Sequence, residues 1–130
     1  RSTRPAARMK ELFGDDISKV NYIPVVTAGT DKSNDQLNDY LENTNAAVIG
    51  IAFSNDKDPM LDRVPEIKKK GIRVWFNALV GKKFNDGHDD ELAVTDLENS
   101  YGWLLKKGAD AIMTDRPFLL LDYLKKNNRR

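Results

Sequence analysis

Four short apolar runs recur along the chain, each followed by helical periodicity, and they constrain the fold more than any other feature. They are Ile23–Thr27, Ala47–Phe53, Ile72–Leu79 and Ala111–Thr114. The second is apolar at every position rather than alternating. Strands covered on both faces have this character, and such strands usually belong to parallel sheets. Pro24 lacks a ladder donor, so the first run belongs at a strand start or a sheet edge.

The intervening segments carry helix punctuation. Ser33 with Gln36 reads as a capping box, and Leu37, Tyr40 and Leu41 supply an apolar face. Asp58 and Pro59 form a cap and first-turn proline ahead of Met60, Leu61, Val64 and Ile67, and Pro65 should kink or delay that helix. Lys68–Lys70 and Gly71 mark its end. A third helix is expected from about Asp89 to Lys107, with Ala93, Leu97, Tyr101, Leu104 and Leu105 inward and Gly108 as stop. A last one starts at Pro117 and buries Phe118, Leu121 and Leu124 or their neighbours. Pro5–Phe13 is helical with no strand before it.

The order is α–β–α–β–α–β–α–β–α, an α/β chain of parallel β/α units joined by right-handed crossovers. Two architectures satisfy it: an open doubly wound sheet of four strands, or half of an eight-stranded barrel. The unpaired first helix favours a chain cut inside a longer alternating series. Arg1 in place of Met, with no signal peptide after it, also reads as a trimmed start.

At 130 residues there is room for one domain. Lys+Arg (21) nearly balance Asp+Glu (20), so nothing asks for nucleic acid or an anionic membrane. The apolar runs are too short to span a bilayer. Without cysteine there is no disulfide framework, thiolate metal site or thiol nucleophile.

Chemistry concentrates in two segments. Gly108-Ala109-Asp110-Ala111-Ile112-Met113-Thr114-Asp115-Arg116-Pro117 reads as a helix stop, a short buried strand, a polar rim and a proline-opened helix. Thr114, Asp115 and Arg116 fall where a parallel strand ends, the functional end of α/β sheets and barrels. The following helix start could receive an anionic oxygen; the simpler role for Thr114 or Asp115 is to cap it. Gly71-Ile72-Arg73-Val74-Trp75-Phe76-Asn77-Ala78-Leu79 places Arg73, Trp75 and Asn77 on one face by strand alternation. Trp75 is either core or a flat wall for a small organic ligand.

Together these segments resemble the C-terminal part of the glycerophosphodiester phosphodiesterase family. Gly108, Asp110, Ala111, Ile112, Thr114, Asp115 and Pro117 match that family's Gly-x-Asp-(Gly/Ala)-Ile-Ile-Thr-Asp-x-Pro-like stretch. Trp75 matches the Trp of its Trp-Thr-Val-Asn strand, while Asn77 stands one place early. The likeness covers most of residues 20 to 125. It implies that residues 1–130 are the C-terminal half, four strands, of a TIM-type (β/α)8 barrel of about 250 residues. The family's His-Arg-Gly, its Glu-x-Asp metal pair and its second catalytic His come from the other half; neither motif is present here, and with one histidine the chain cannot assemble the catalytic pair alone.

The resemblance implies a parent that uses Ca2+ or Mg2+ to hydrolyse a glycerophosphodiester to glycerol phosphate and an alcohol. This half would be inactive alone and would bind no cation by itself. Trp75 would line the alcohol or glycerol pocket, with Asp115 at the rim and Asn77 and His88 as weaker contacts. The relatives include exported and cytosolic forms.

His88 is the single histidine and sits in Asn85-Asp86-Gly87-His88-Asp89-Asp90-Glu91. That oxygen-rich cluster invites a metal, yet its spacing matches neither an EF-hand nor a two-histidine zinc motif, and acids suit a first helical turn. Lys68–Lys70, Lys106–Lys107 and Lys125–Arg130 read as helix-end or tail charges. The alternative from a different class is a non-catalytic α/β module that binds a partner or ligand. A half barrel would leave free edges near Ile23–Thr27 and Ala111–Thr114 and an apolar concave face. It should therefore associate with the missing half or with a second copy.

Overall fold

The apolar runs form four parallel strands, β1 (Val25–Thr27), β2 (Val48–Ala52), β3 (Arg73–Asn77) and β4 (Ala111–Met113), in the order β1-β2-β3-β4. The computed structural model describes residues 3–20 and 22–129; Arg1 and Arg130, the ends of the predicted trimmed start and basic tail, lie outside the described residues. The register aligns Val26, Ile51, Phe76 and Ile112 in one row and Val25, Gly50, Trp75 and Ala111 in the next. Alternation sends these rows to opposite faces. The sequential order has no reversal, the feature that creates the ligand crevice of a doubly wound sheet.

One face carries the core. Val26, Ile49, Ile51, Phe53, Val74 and Phe76 are buried there. They meet Leu37 and Tyr40 of α2 (Ser33–Asn43), Val64 and Ile67 of α3 (Val64–Lys69), and Tyr101 and Leu104 of the third connection. Right-handed crossovers in a strictly sequential sheet place their helices on a common face, which this core composition matches.

Several helix ends follow the sequence. Asp58 Oδ1 accepts from Met60 N at 2.8 Å, and Pro59 opens a 3-10 turn over Pro59–Arg63 that delays α3, with Pro65 in its first turn. The chain leaves α3 at Gly71, whose N–H bonds to Lys68 O.

Three expectations fail. The helix expected over Asp89–Lys107 is broken into a 3-10 turn (Leu92–Val94), a π-type turn (Glu98–Gly102) and the short α5 (Trp103–Lys106). Asp89 and Asp96 both accept backbone N–H groups of residues two or three ahead, so local side-chain bonds divide the helix. In α6 (Pro117–Lys126) Leu124 packs against the core as expected, but Phe118 is 82% exposed and Leu121 is exposed as well, and their neighbours Leu120 and Tyr123 take the inward places. Tyr123 fixes this rotation by donating to Glu98 at 2.6 Å. Ser33 and Gln36 also do not form a capping box. Ser33 Oγ donates to Thr27 O at 2.7 Å and Gln36 Oε1 accepts from Thr27 N at 3.3 Å, so both close part of the β1 edge.

The first helix, α1 (Ala6–Phe13), departs from the common face. Its approach is tied to α2: Ala6 N donates to Asp39, Tyr40 Oη to Arg4 O, and Gln36 Nε2 to Thr3 O. Met9 is buried, and Met9, Leu12 and Phe13 border a cavity with Val25 and Trp75 from the opposite sheet face. The concave face expected to be bare is thus partly roofed, whereas Ala111 on β4 is exposed. Among the described residues, no helix is long and apolar enough to cross a membrane.

Candidate functional site

The face of β3 turned away from the core carries Trp75 and Asn77, two residues apart and so on the same side of the strand. Both border the α1-roofed cavity of about 590 Å³, together with Thr27, Ala52 and Phe84. This lies within the several-hundred-Å³ range of small-molecule pockets. Trp75 is half-buried and leans across Gly50, where a β-carbon would lie 2.5 Å from indole Cε3. A glycine at that position of β2 is what lets the indole lie flat on the sheet.

Asn77 is only 4% exposed, and its side chain is oriented by backbone. Oδ1 accepts from Leu79 N at 2.8 Å; because an N–H can only donate, this fixes which end of the amide is oxygen. No buried side-chain polar atom among the described residues is left without a hydrogen-bond partner, and Asn77 borders the cavity. Asn85, fully buried in α4 (Lys82–Asn85), supports the same strand end. Its Nδ2 donates to Asn77 O at 3.1 Å and Leu79 O at 2.8 Å.

The rim after β4 is organised by an acid that sequence reasoning read as an ordinary first-turn charge. Asp90 is 2% exposed. Its Oδ1 accepts from Tyr101 Oη at 2.7 Å and from Thr114 Oγ1, and its Oδ2 from Asp115 N at 2.7 Å. Asp90 N donates to Ala78 O, so one residue joins the ends of β3 and β4. Burial, reinforced by the bond to Asp90, pushes the Tyr101 hydroxyl up to about 12. Nothing in the spacing of Asp90, Tyr101 and Thr114 announces this junction, because it is made by chain crossings rather than by a local motif.

The Gly108–Pro117 segment proves largely architectural. Gly108 has φ +102, and a β-carbon there would lie 2.7 Å from Val64. Asp110 accepts from Val74 N at 2.9 Å and pairs with Lys68 at 2.6 Å. Burial would raise its carboxyl, but the Lys68 ammonium and the Val74 N–H outweigh that and hold it below the ordinary range. Thr114 Oγ1 accepts from Arg116 N at 2.8 Å, so the threonine rather than the aspartate meets the start of α6. Asp115 is exposed, and its carboxylate makes no hydrogen bond among the described residues. It stands at the rim but does not line the cavity.

His88 is held elsewhere. Its ring stacks on Trp103 at 3.9 Å between centroids and 6° between planes. Nδ1 contacts Asn99 O, and since a carbonyl only accepts, Nδ1 carries the proton there. Nε2 lies 3.6 Å from Asp56, and the ring does not border the cavity. No grouping of three His, Asp or Glu side chains suited to a metal occurs among the described residues. The structure therefore brings Trp75 and Asn77 together, sets Asp115 beyond them, and places His88 in a separate packing unit.

Residues 22–124 match the family model DUF4996, described as a domain of unknown function, and the chain belongs to that family. No curated protein matches it.

Proposed function

We propose that this domain is the C-terminal half of a glycerophosphodiester phosphodiesterase-like barrel. Its complete form would hydrolyse a glycerophosphodiester to glycerol phosphate and an alcohol. The observation that carries the reading is the strictly sequential parallel sheet with Trp75 and Asn77 on the face away from the core. A closed barrel needs strands in sequence, helices outside, and ligand-facing groups at the carboxyl ends of the strands. The motif around Gly108–Pro117 and the Trp75 strand supply the family likeness.

In this reading Trp75 lies against the alcohol or glycerol moiety, and Asp115 shapes the rim. Among the described residues, the cavity lining offers Asn77 and Thr27 but no acid. Those residues do not fit a Ca2+ or Mg2+ site, so the cation and the acid–base histidines of the reaction belong to the other half. No step is assigned to a metal on this chain.

The test is hydrolysis of glycerophosphocholine with Ca2+ or Mg2+, by the purified chain and by the chain co-expressed with four upstream β/α units bearing His-Arg-Gly and Glu-x-Asp. Activity only in the pair is expected. Turnover by the chain alone, or none in a pair that assembles, overturns the assignment.

A non-catalytic ligand-binding domain is the second reading. It is favoured by α1, which roofs the face a second half would occupy, and by Ser33 and Gln36, which close part of the β1 edge.

A further inference from the structure

We propose that the outward face of α6 is a self-association surface, on which two copies of this chain pair antiparallel about a two-fold axis beside Leu121. This goes beyond the phosphodiesterase reading and does not depend on it, because that face lies opposite the side of α6 that packs on the core.

The helix carries two stripes. Leu120 and Tyr123 are buried and Leu124 packs against the core beside them. Phe118, Leu121, Asp122 and Lys125 stand at i, i+3, i+4 and i+7, the spacing of a single helix face. All four are exposed, Phe118 most of all. Apolar residues scattered singly on a surface are ordinary. Here a phenyl ring and a leucine are neighbours one turn apart, bordered by an acid and a base. An apolar centre with a charged rim is the composition of an interface.

Charge selects the occupant and its direction. The side chains of Asp122 and Lys125 make no hydrogen bond or ion pair among the described residues. In a parallel pair of α6 helices Asp122 would face Asp122 and Lys125 would face Lys125, with the helix dipoles aligned side by side. An antiparallel pair opposes the dipoles and sets Asp122 of each copy beside Lys125 of the other, once on each side of the axis. Phe118 of one copy then lies over the aliphatic stem of the other's Lys125, whose ammonium stays in water at the rim. The face is thus complementary to itself, as a closed two-fold contact requires, and the occupant is a second copy.

Sedimentation equilibrium of the whole chain should show a monomer–dimer equilibrium with no larger species. Asp122→Lys and Lys125→Asp each turn both attractive pairs into repulsive ones, so each variant alone should dimerise about tenfold more weakly. Mixed in equal amounts, the two variants should recover the parent's affinity, because every pair across the heterodimer is again opposite in sign. The double variant Asp122→Lys/Lys125→Asp should recover it as a homodimer. Should a variant fail to fold, isotope-filtered NMR on the unaltered chain decides, through contacts between the Phe118 ring and the Lys125 methylenes of the second copy. A parent that stays monomeric up to about 1 mM, folded single variants that associate like the parent, a mixture that gains nothing, or absence of those contacts overturns the proposal. So does an effect of the charge reversals on joining a complementing half but not on self-association, which would give the face to that half.

Discussion

Gly50 and Trp75 are register partners across β2 and β3, and the indole lies so close over the glycine that a β-carbon would sit 2.5 Å from Cε3 and 2.9 Å from Cζ3. The same carbon would meet Val25 Cγ2 at 3.1 Å, so the contact spans three strands. Gly50→Ala should therefore lift Trp75 from the sheet and destabilise the domain by about 1–3 kcal/mol, the usual cost of overpacking. Urea unfolding measures the loss and near-UV circular dichroism the ring's altered setting. An unchanged midpoint and unchanged aromatic signal would show that the indole does not rest there.

Asp90 gathers the Tyr101 hydroxyl, the Thr114 hydroxyl and the Asp115 N–H on one buried carboxylate. In Asp90→Asn one oxygen becomes an NH2 group, which must oppose a donor. The expected loss is about 2–3 kcal/mol, since bonds to charged groups are the stronger class. Amide exchange should quicken first at Asp115 and Arg116 if the junction is the local clamp. Uniform acceleration across all strands would refute that role.

Alkaline pH tests the same junction. The Tyr101 hydroxyl is held to about 12, against an ordinary value of 10.0, first by burial and then by Asp90. The folded state thus keeps its proton where the unfolded state has lost it. Its contribution is complete below pH 10 and declines as pH rises towards 12. Tyr123, also raised to about 12 by burial and by Glu98, acts in the same direction. Stability measured from pH 9 to 12 should fall less steeply in Tyr101→Phe than in the parent. Parallel slopes would assign the alkaline loss to other groups.

The α/β alternation, the sheet's position in the chain and the caps at Asp58 and Gly71 were legible because each rests on residues close in sequence. The broken third helix was not: its periodic apolar residues do point inward, but Asp89 and Asp96 divert backbone donors, an effect that an apolar pattern does not register. Gln36 was legible as a helix residue but not as the partner of Thr27, because that bond depends on how α2 folds back on β1. At the site, Trp75 and Asn77 could be paired from strand parity alone. Asp90 was hidden, since its three donors arrive from two later segments. His88 drew attention as the single histidine, yet its ring serves as a packing plate for Trp103.

That placement makes a sharp expectation for His88→Leu. The substitution removes a ring stacked at 3.9 Å and its hydrogen bond to Asn99, but leaves the cavity lining intact. Thermal stability should drop by about 1–2 kcal/mol, the scale of a lost aromatic contact plus one hydrogen bond. The Trp75 indole N–H resonance should stay at the parent's position, and an assembled enzyme should keep its turnover. A folded variant that loses either one would move His88 from packing into the site.

The exposed face of α6 poses the association question most directly. Phe118 and Leu121 stand outward on α6, and Ala111 on β4 is also exposed. A large apolar side chain that contacts little of its own chain contributes little to folding, so Phe118→Asp should change stability by no more than about 0.5 kcal/mol. Burying that carboxylate against a second copy or a missing half would be costly. The parent should therefore sediment as a concentration-dependent dimer or join the complementing half, and Phe118→Asp should shift either equilibrium at least about tenfold towards the free chain. Equal association by the parent and the folded variant would place the contact on another surface. A parent that stays monomeric and does not join the complementing half would remove the physical case for a half barrel.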